Sequence, residues 1–192
     1  MPWPLVARRA VDRVVELLQA GPATGVALIG NEGVGKTTLA AQSAERLGRG
    51  EPLWAFGTMA QSMVPFGAFG PLLGVHDVDK PAEMISAAAE EILARAGSAP
   101  LIVDNARLLD PLSGSLVYRL AGECGCPLIV TVRSVLRVPR VVSALWDDGL
   151  LARYDLMPMD AGETAEGGSR AAGRGDRGRM PAQLQHYCTW GC

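Results

Sequence analysis

Nine consecutive residues, Gly30-Asn31-Glu32-Gly33-Val34-Gly35-Lys36-Thr37-Thr38, combine glycines with one lysine and two threonines. The spacing is Gly, four residues, then Gly-Lys-Thr, between the apolar run Val26-Ala27-Leu28-Ile29 and the segment Leu39-Ala40-Ala41. The chemistry open to such a set is anion binding. Gly30, Gly33 and Gly35 lack a Cβ, so the backbone is expected to take positive φ there and to turn its N–H groups inward around a phosphate. A helix opening at Lys36 would aim its first amides and its positive dipole end at the same anion. Lys36 adds a point charge for the β- and γ-phosphates, and Thr37 adds a hydroxyl for a Mg²⁺ shell of oxygen ligands. Thr38 is within reach of an α-phosphate. All nine residues are therefore candidate nucleotide contacts, with ATP and Mg²⁺ as the expected ligands.

A second chemical element is Leu101-Ile102-Val103-Asp104, an apolar strand that ends in a carboxylate. At the carboxyl end of a strand near the glycine loop, Asp104 would hold Mg²⁺ through water, sharing the ion with Thr37. The next residue is Asn105, whose amide cannot take a proton as a carboxylate can, which predicts slow or absent hydrolysis. Asp110 is either a second acid near the site or the N-cap of the helix that follows. Arg133 follows Thr131-Val132 directly and is placed to contact a γ-phosphate by charge-assisted hydrogen bonds, or else to cap a strand end. Arg8 and Arg9 either approach the base and ribose or form a solvated face. Cys124, Cys126, His186, Cys188 and Cys192 match no structural zinc spacing.

These groups need elements to hold them. Val11, Val14, Val15 and Leu18 recur at helical spacing over residues 5–20, ended by Gly21-Pro22. Strands are predicted at 25–30, 53–57, 100–104, 127–132 and 152–156. Helices are predicted at about 36–47, 82–96, 112–122 and 139–147. The connection 58–80 carries Met59, Met63, Phe66, Phe69, Leu72 and Leu73 among glycines and prolines, and reads as a packed satellite cluster. Strand and helix alternate five times, which predicts an α/β doubly wound core: a parallel five-stranded sheet with helices on both faces and its ligand at the carboxyl ends of the strands.

The 192 residues, 48% hydrophobic with a formal charge of −2, suit one ordinary domain and give no electrostatic basis for nucleic-acid binding. Lys36 is one of only two lysines. Four cysteines do not make a secreted disulfide framework, and no apolar run approaches the roughly 18 residues of a membrane span, so the expected location is the cytoplasm. The expected organisation is an N-terminal helix in 1–24, a nucleotide-binding core over 25–160 and an atypical tail over 161–192. From Gly167 the chain is rich in Gly and Arg with no apolar period, the composition of a disordered segment.

With these residues in place, the chain resembles the N-terminal part of STAND-type ATPases of the AAA+ superfamily, and among them the ATPase module of large LuxR-family transcriptional regulators. Leu5-Val6-Ala7-Arg8-Arg9 is similar to the family's Leu-Val-Gly-Arg-Glu box, and Val64-Pro65-Phe66-Gly67-Ala68-Phe69 to its Pro-Phe-Gly-Ala segment. Val103-Asp104-Asn105-Ala106 with Leu109-Asp110 is similar to its Val-Asp-Asp-Ala-His-x-Leu-Asp, and Val130-Thr131-Val132-Arg133 to its sensor strand. Leu156-Met157-Pro158-Met159-Asp160 looks like the exit from its fifth strand. The resemblance implies a nucleotide switch with slow ATP hydrolysis, using Lys36, Asp104 and Arg133. Ala7, Arg9, Asn105 and Arg107 depart from the family pattern and predict weak turnover. The family continues into a lid, helical repeats and a DNA-binding helix-turn-helix, so the chain reads as a truncated member that pairs with itself or a full-length relative and does not bind DNA directly. Two other classes stay open: a small-molecule or nucleotide kinase, with Arg137 and Arg140 as lid arginines, and a non-catalytic nucleotide-binding remnant.

Overall fold

A computed structural model of the chain describes residues 5–20, 25–74, 80–123, 125–134 and 138–157; the tail read over 161–192 lies outside them. The elements run α1 (Leu5–Ala20), β1 (Gly25–Gly30), α2 (Lys36–Leu47), β2 (Leu53–Phe56), α3 (Pro81–Ala96), β3 (Leu101–Asp104), α4 (Pro111–Glu123), β4 (Leu128–Arg133), α5 (Arg140–Asp147) and β5 (Leu151–Leu156). All five strands are parallel, in the order β2-β3-β4-β1-β5. The order puts β1 between β4 and β5, with Gly25 opposite both Leu128 and Leu151.

The period of two along each strand divides the core. Ala27, Ile29, Leu101, Val103, Leu128, Val130 and Val132 pack with residues of α3, α4 and α5. Val26, Leu28, Trp54, Ile102 and Ile129 pack on the opposite side with Val11 and Val14 of α1 and Leu39, Ala40 and Ala44 of α2. Both faces are covered, so the central strands are apolar throughout instead of alternating. The parallel sheet with helices on both faces is the architecture that the alternation predicts.

Helix ends follow local chemistry. Gly48, in the left-handed region at φ 64°, stops α2 and donates its N–H to Glu45 O. Pro81 opens α3, where its missing N–H costs nothing. Asp110 caps α4: its Oδ1 accepts from the backbone N–H of Leu112 at 3.0 Å and of Ser113 at 3.1 Å.

The connection after β2 differs from expectation. Two single 3-10 turns, Gln61–Met63 and Gly67–Phe69, fold it back onto the sheet, and Phe66, Ala68, Phe69 and Leu72 join the main core instead of a satellite cluster. Phe66 stands at φ 53°, a conformation that costs a non-glycine residue about 1–2 kcal/mol. Burial of its ring and a bond from its N–H to Asp110 Oδ1 at 3.2 Å offset that strain.

Candidate functional site

β1 delivers the loop 30–35 to the carboxyl end of the sheet, and α2 leaves from it. Gly33 and Gly35 take φ 78° and 88°, and a Cβ at either would meet nothing within 4 Å. They are glycines for conformation. Gly30 corrects the expectation that all three glycines serve that purpose: it is absent from the positive-φ residues, and a Cβ there would sit 2.9 Å from Leu156 O on β5. Its small size lets β5 lie against the start of the loop.

The first backbone bond of α2 runs from Leu39 N–H to Gly35 O at 2.8 Å, so the amides of Lys36, Thr37 and Thr38 have no acceptor within the helix. Gly35, the N-cap, has no side chain to satisfy them. Lys36 Nζ curls back to donate to Gly30 O at 2.9 Å and Asn31 O at 2.6 Å. Burial lowers its pKa from 10.5; Asp104 opposes that shift, Arg133 adds to it and Glu32 opposes it.

One turn on, Thr37 Oγ1 lies 3.1 Å from both Oδ1 and Oδ2 of Asp104. β4 separates β1 from β3 and supplies the link between them: Thr131 Oγ1 donates to Asp104 Oδ1 at 2.5 Å and accepts from Asn105 N–H at 2.8 Å. Asn105, at φ 57°, donates through Nδ2 to Gly57 O at 3.1 Å. Arg133, the last residue of β4, pairs through Nη2 with Glu32 Oε1 at 2.7 Å. Beside it Ser134 donates from N–H to Gly30 O at 3.2 Å and from Oγ to Asn31 Oδ1 at 2.6 Å.

No family model and no curated protein matches the sequence. Among solved structures, the chain superposes on a DNA polymerase III gamma subunit-related protein from Thermotoga maritima with TM-score 0.50 and 7% identity, over 79% of this chain and 47% of that one. It superposes on a chain of the Drosophila ORC complex bound to GC-rich DNA and Cdc6 with TM-score 0.52 and 20% identity, over 83% of this chain and 59% of that one. What they share with this chain is the α/β core with its parallel sheet. At these identities the likeness is one of fold, and the described chain spans roughly half the length of the two proteins.

In this core the structure brings together Lys36, Thr37, Asp104, Arg133 and the loop 30–35. Thr38 is half-buried on the first turn of α2. Asp110 does not join them. It is 4% exposed and serves as N-cap of α4, accepting also from Phe66 N–H and from Ser113 Oγ. Arg9 is exposed on α1, while the Arg8 side chain lies outside the described residues. Arg140 is exposed at the start of α5, and Arg137 lies outside the described residues. Cys126 is buried, Cys124, His186, Cys188 and Cys192 lie outside, and among the described residues no three His, Cys, Asp or Glu cluster around a possible metal.

Sequence reading assigned no separate role to Thr131, Ser134 or Gly57. For Thr131 a signal existed: one hydroxyl inside the apolar run Leu-Ile-Val-Thr-Val must find a partner when buried, and it is 1% exposed. Ser134 and Gly57 carry no local signal, since their roles arise from which strands are neighbours.

Proposed function

We propose that the chain binds ATP with Mg²⁺ at the loop 30–38 and acts as the nucleotide-switch core of a STAND-type, LuxR-family transcriptional regulator, with slow hydrolysis. The observation that carries this reading is the placement of Thr37 Oγ1 at 3.1 Å from both carboxylate oxygens of Asp104. A hydroxyl that donates its proton to a carboxylate keeps its lone pairs free to act as an oxygen ligand. Hard oxygen donors from two elements suit Mg²⁺, which keeps several waters and takes one or two protein ligands. Thr37 would hold the ion directly and Asp104 through water, with Thr131 fixing the rotation of the carboxylate. When bound, the ion would supply positive charge that offsets the charge of the phosphate oxygens.

The rest of the binding falls to this chain's own groups. The first amides of α2 and the Lys36 ammonium hold the β-phosphate, and Arg133 reaches the γ-phosphate. Slow hydrolysis is supported by Asn105: its amide is spent on Gly57 O and offers no base for an attacking water. In this reading the bound nucleotide controls association with itself or a full-length relative, and the chain does not contact promoter DNA. Among the described residues no helix is long and apolar enough to cross a membrane.

Calorimetry with ATP and ADP, with and without Mg²⁺, tests the proposal, followed by turnover on the same sample. Mg²⁺-dependent ATP binding that disappears in Lys36→Ala, with little turnover, is the expected result. A folded protein that binds neither nucleotide refutes it, and phosphoryl transfer to a small acceptor would favour a kinase.

A further inference from the structure

Both cations placed to grip a polyphosphate are engaged by oxygens of the loop itself. Lys36 Nζ rests on the carbonyls of Gly30 and Asn31, and Arg133 Nη2 rests on Glu32 Oε1 at 2.7 Å. Ser134 ties the same stretch through its N–H to Gly30 O and its Oγ to Asn31 Oδ1. Three successive loop residues are thus fastened to two successive residues at the end of β4. One tie differs in kind. The partners at Gly30 and Asn31 are neutral, whereas the partner at Glu32 is an anionic oxygen, the protein group closest in chemistry to a terminal phosphate.

We propose that Glu32 competes internally for Arg133 and thereby sets the preference of the loop between nucleoside diphosphates and triphosphates. The proposal rests on the nucleotide-binding reading above. A diphosphate held by Lys36 and the α2 amides leaves Arg133 on Glu32. A γ-phosphate gains Arg133 only by displacing that carboxylate. The two side chains are unequal in a way that suits the exchange: Glu32 is 75% exposed and returns to water at little cost, while Arg133 is 30% exposed and keeps an anionic partner in both states. The other charges facing the pair are Lys36 and, behind it, Asp104, which acts on the same ammonium. Displacement also frees the loop at residue 32 while Ser134 still holds residues 30 and 31, so the exchange of partners alters the loop for a triphosphate alone.

Partly exposed ion pairs are weak, so removing the competitor is expected to raise triphosphate affinity by about two- to fivefold at low salt. The test is calorimetry on the full chain with Mg²⁺-ADP and with the Mg²⁺ complex of a non-hydrolysable ATP analogue. Wild type, Glu32→Gln, Glu32→Ala, Arg133→Gln and the double variant Glu32→Gln/Arg133→Gln are compared. Both Glu32 variants should raise triphosphate affinity by more than ADP affinity, and Glu32→Gln should no longer change that ratio once Arg133 is replaced. An equal gain for both nucleotides would make Glu32 a general repellent of anions and overturn the proposal. So would unchanged or weakened triphosphate binding, or a gain that persists without Arg133. These outcomes leave nucleotide binding itself intact. Failure of a folded wild-type chain to bind either nucleotide would refute the nucleotide reading and this proposal together.

Discussion

Asp104 and Asp110 lie near each other in sequence, yet they are held by different kinds of donor. Asp110 is buried and accepts from the backbone amides of Phe66, Leu112 and Ser113 as well as from Ser113 Oγ. Backbone amides cannot turn away without moving the chain, so this carboxylate is committed to joining the β2–α3 connection to the start of α4. Asp104 accepts from two hydroxyls, Thr37 Oγ1 and Thr131 Oγ1. Hydroxyls rotate, and Thr37 can re-aim its lone pairs at a ligand without disturbing the fold. Donor type separates a carboxylate that holds the structure from one free to act.

The comparison breaks if the two substitutions behave alike. Asp110→Ala is expected to cost about 2–4 kcal/mol, from a lost cap plus buried donors left without an acceptor. Urea unfolding should show a lower midpoint at unchanged slope. Asp104→Ala should lower the midpoint less, a loss of about 1 kcal/mol for the buried Thr131 hydroxyl left without its acceptor, while the Mg²⁺ enhancement of ATP binding falls by about tenfold or more, by analogy with loss of groups that orient metal ligands. Equal destabilisation by the two would erase the distinction. Asn105→Asp sharpens it: a carboxylate cannot donate to Gly57 O, and the expected loss is about 1 kcal/mol by thermal or urea unfolding. Unchanged stability would mean that the Asn105–Gly57 bond contributes nothing.

The smallest effect concerns Lys36. Burial lowers its pKa below 10.5, so between the lowered value and 10.5 the unfolded chain binds more protons than the folded one. Stability of the free protein should therefore rise with pH across that window, the cost of the buried charge being full below it. A bound polyphosphate favours the charged ammonium, so ATP binding should take up a proton in the same window and weaken as pH rises through it. Calorimetry in buffers of different ionisation enthalpy measures that uptake. No uptake anywhere below 10.5 would contradict the assigned shift.

Much of the fold could be read locally. Gly48 marks the end of α2, and the apolar runs at 26–29, 101–103 and 128–130 mark strands buried on both faces. Strand order could not be read, because periodicity reports burial and says nothing of which strands are neighbours. The meeting of Thr37 with Asp104 was expected, but other contacts that depend on adjacency were missed: the approach of Gly30 to Leu156, the bonds of Thr131 to Asp104 and Asn105, the use of the Asn105 amide by Gly57, and the pairing of Glu32 with Arg133. The merger of Phe66 and Phe69 with the main core was missed for the same reason, since it rests on packing against residues distant in sequence.

The strand order also governs when the site can form. In the sheet β1 lies between β4 and β5, and its first residue, Gly25, is paired with Leu128 and Leu151. At the usual pace of roughly 5–20 residues per second on the ribosome, on the order of 5–20 seconds pass between synthesis of β1 and of its first partner. Through that interval β1 has neither of its sheet neighbours, and Gly30 lacks both the β5 residue it packs against and the Ser134 that fastens it. The glycine loop is made before either strand that flanks β1 and is completed only once β4 and β5 have been made, so ligand binding can report arrival of the full sheet.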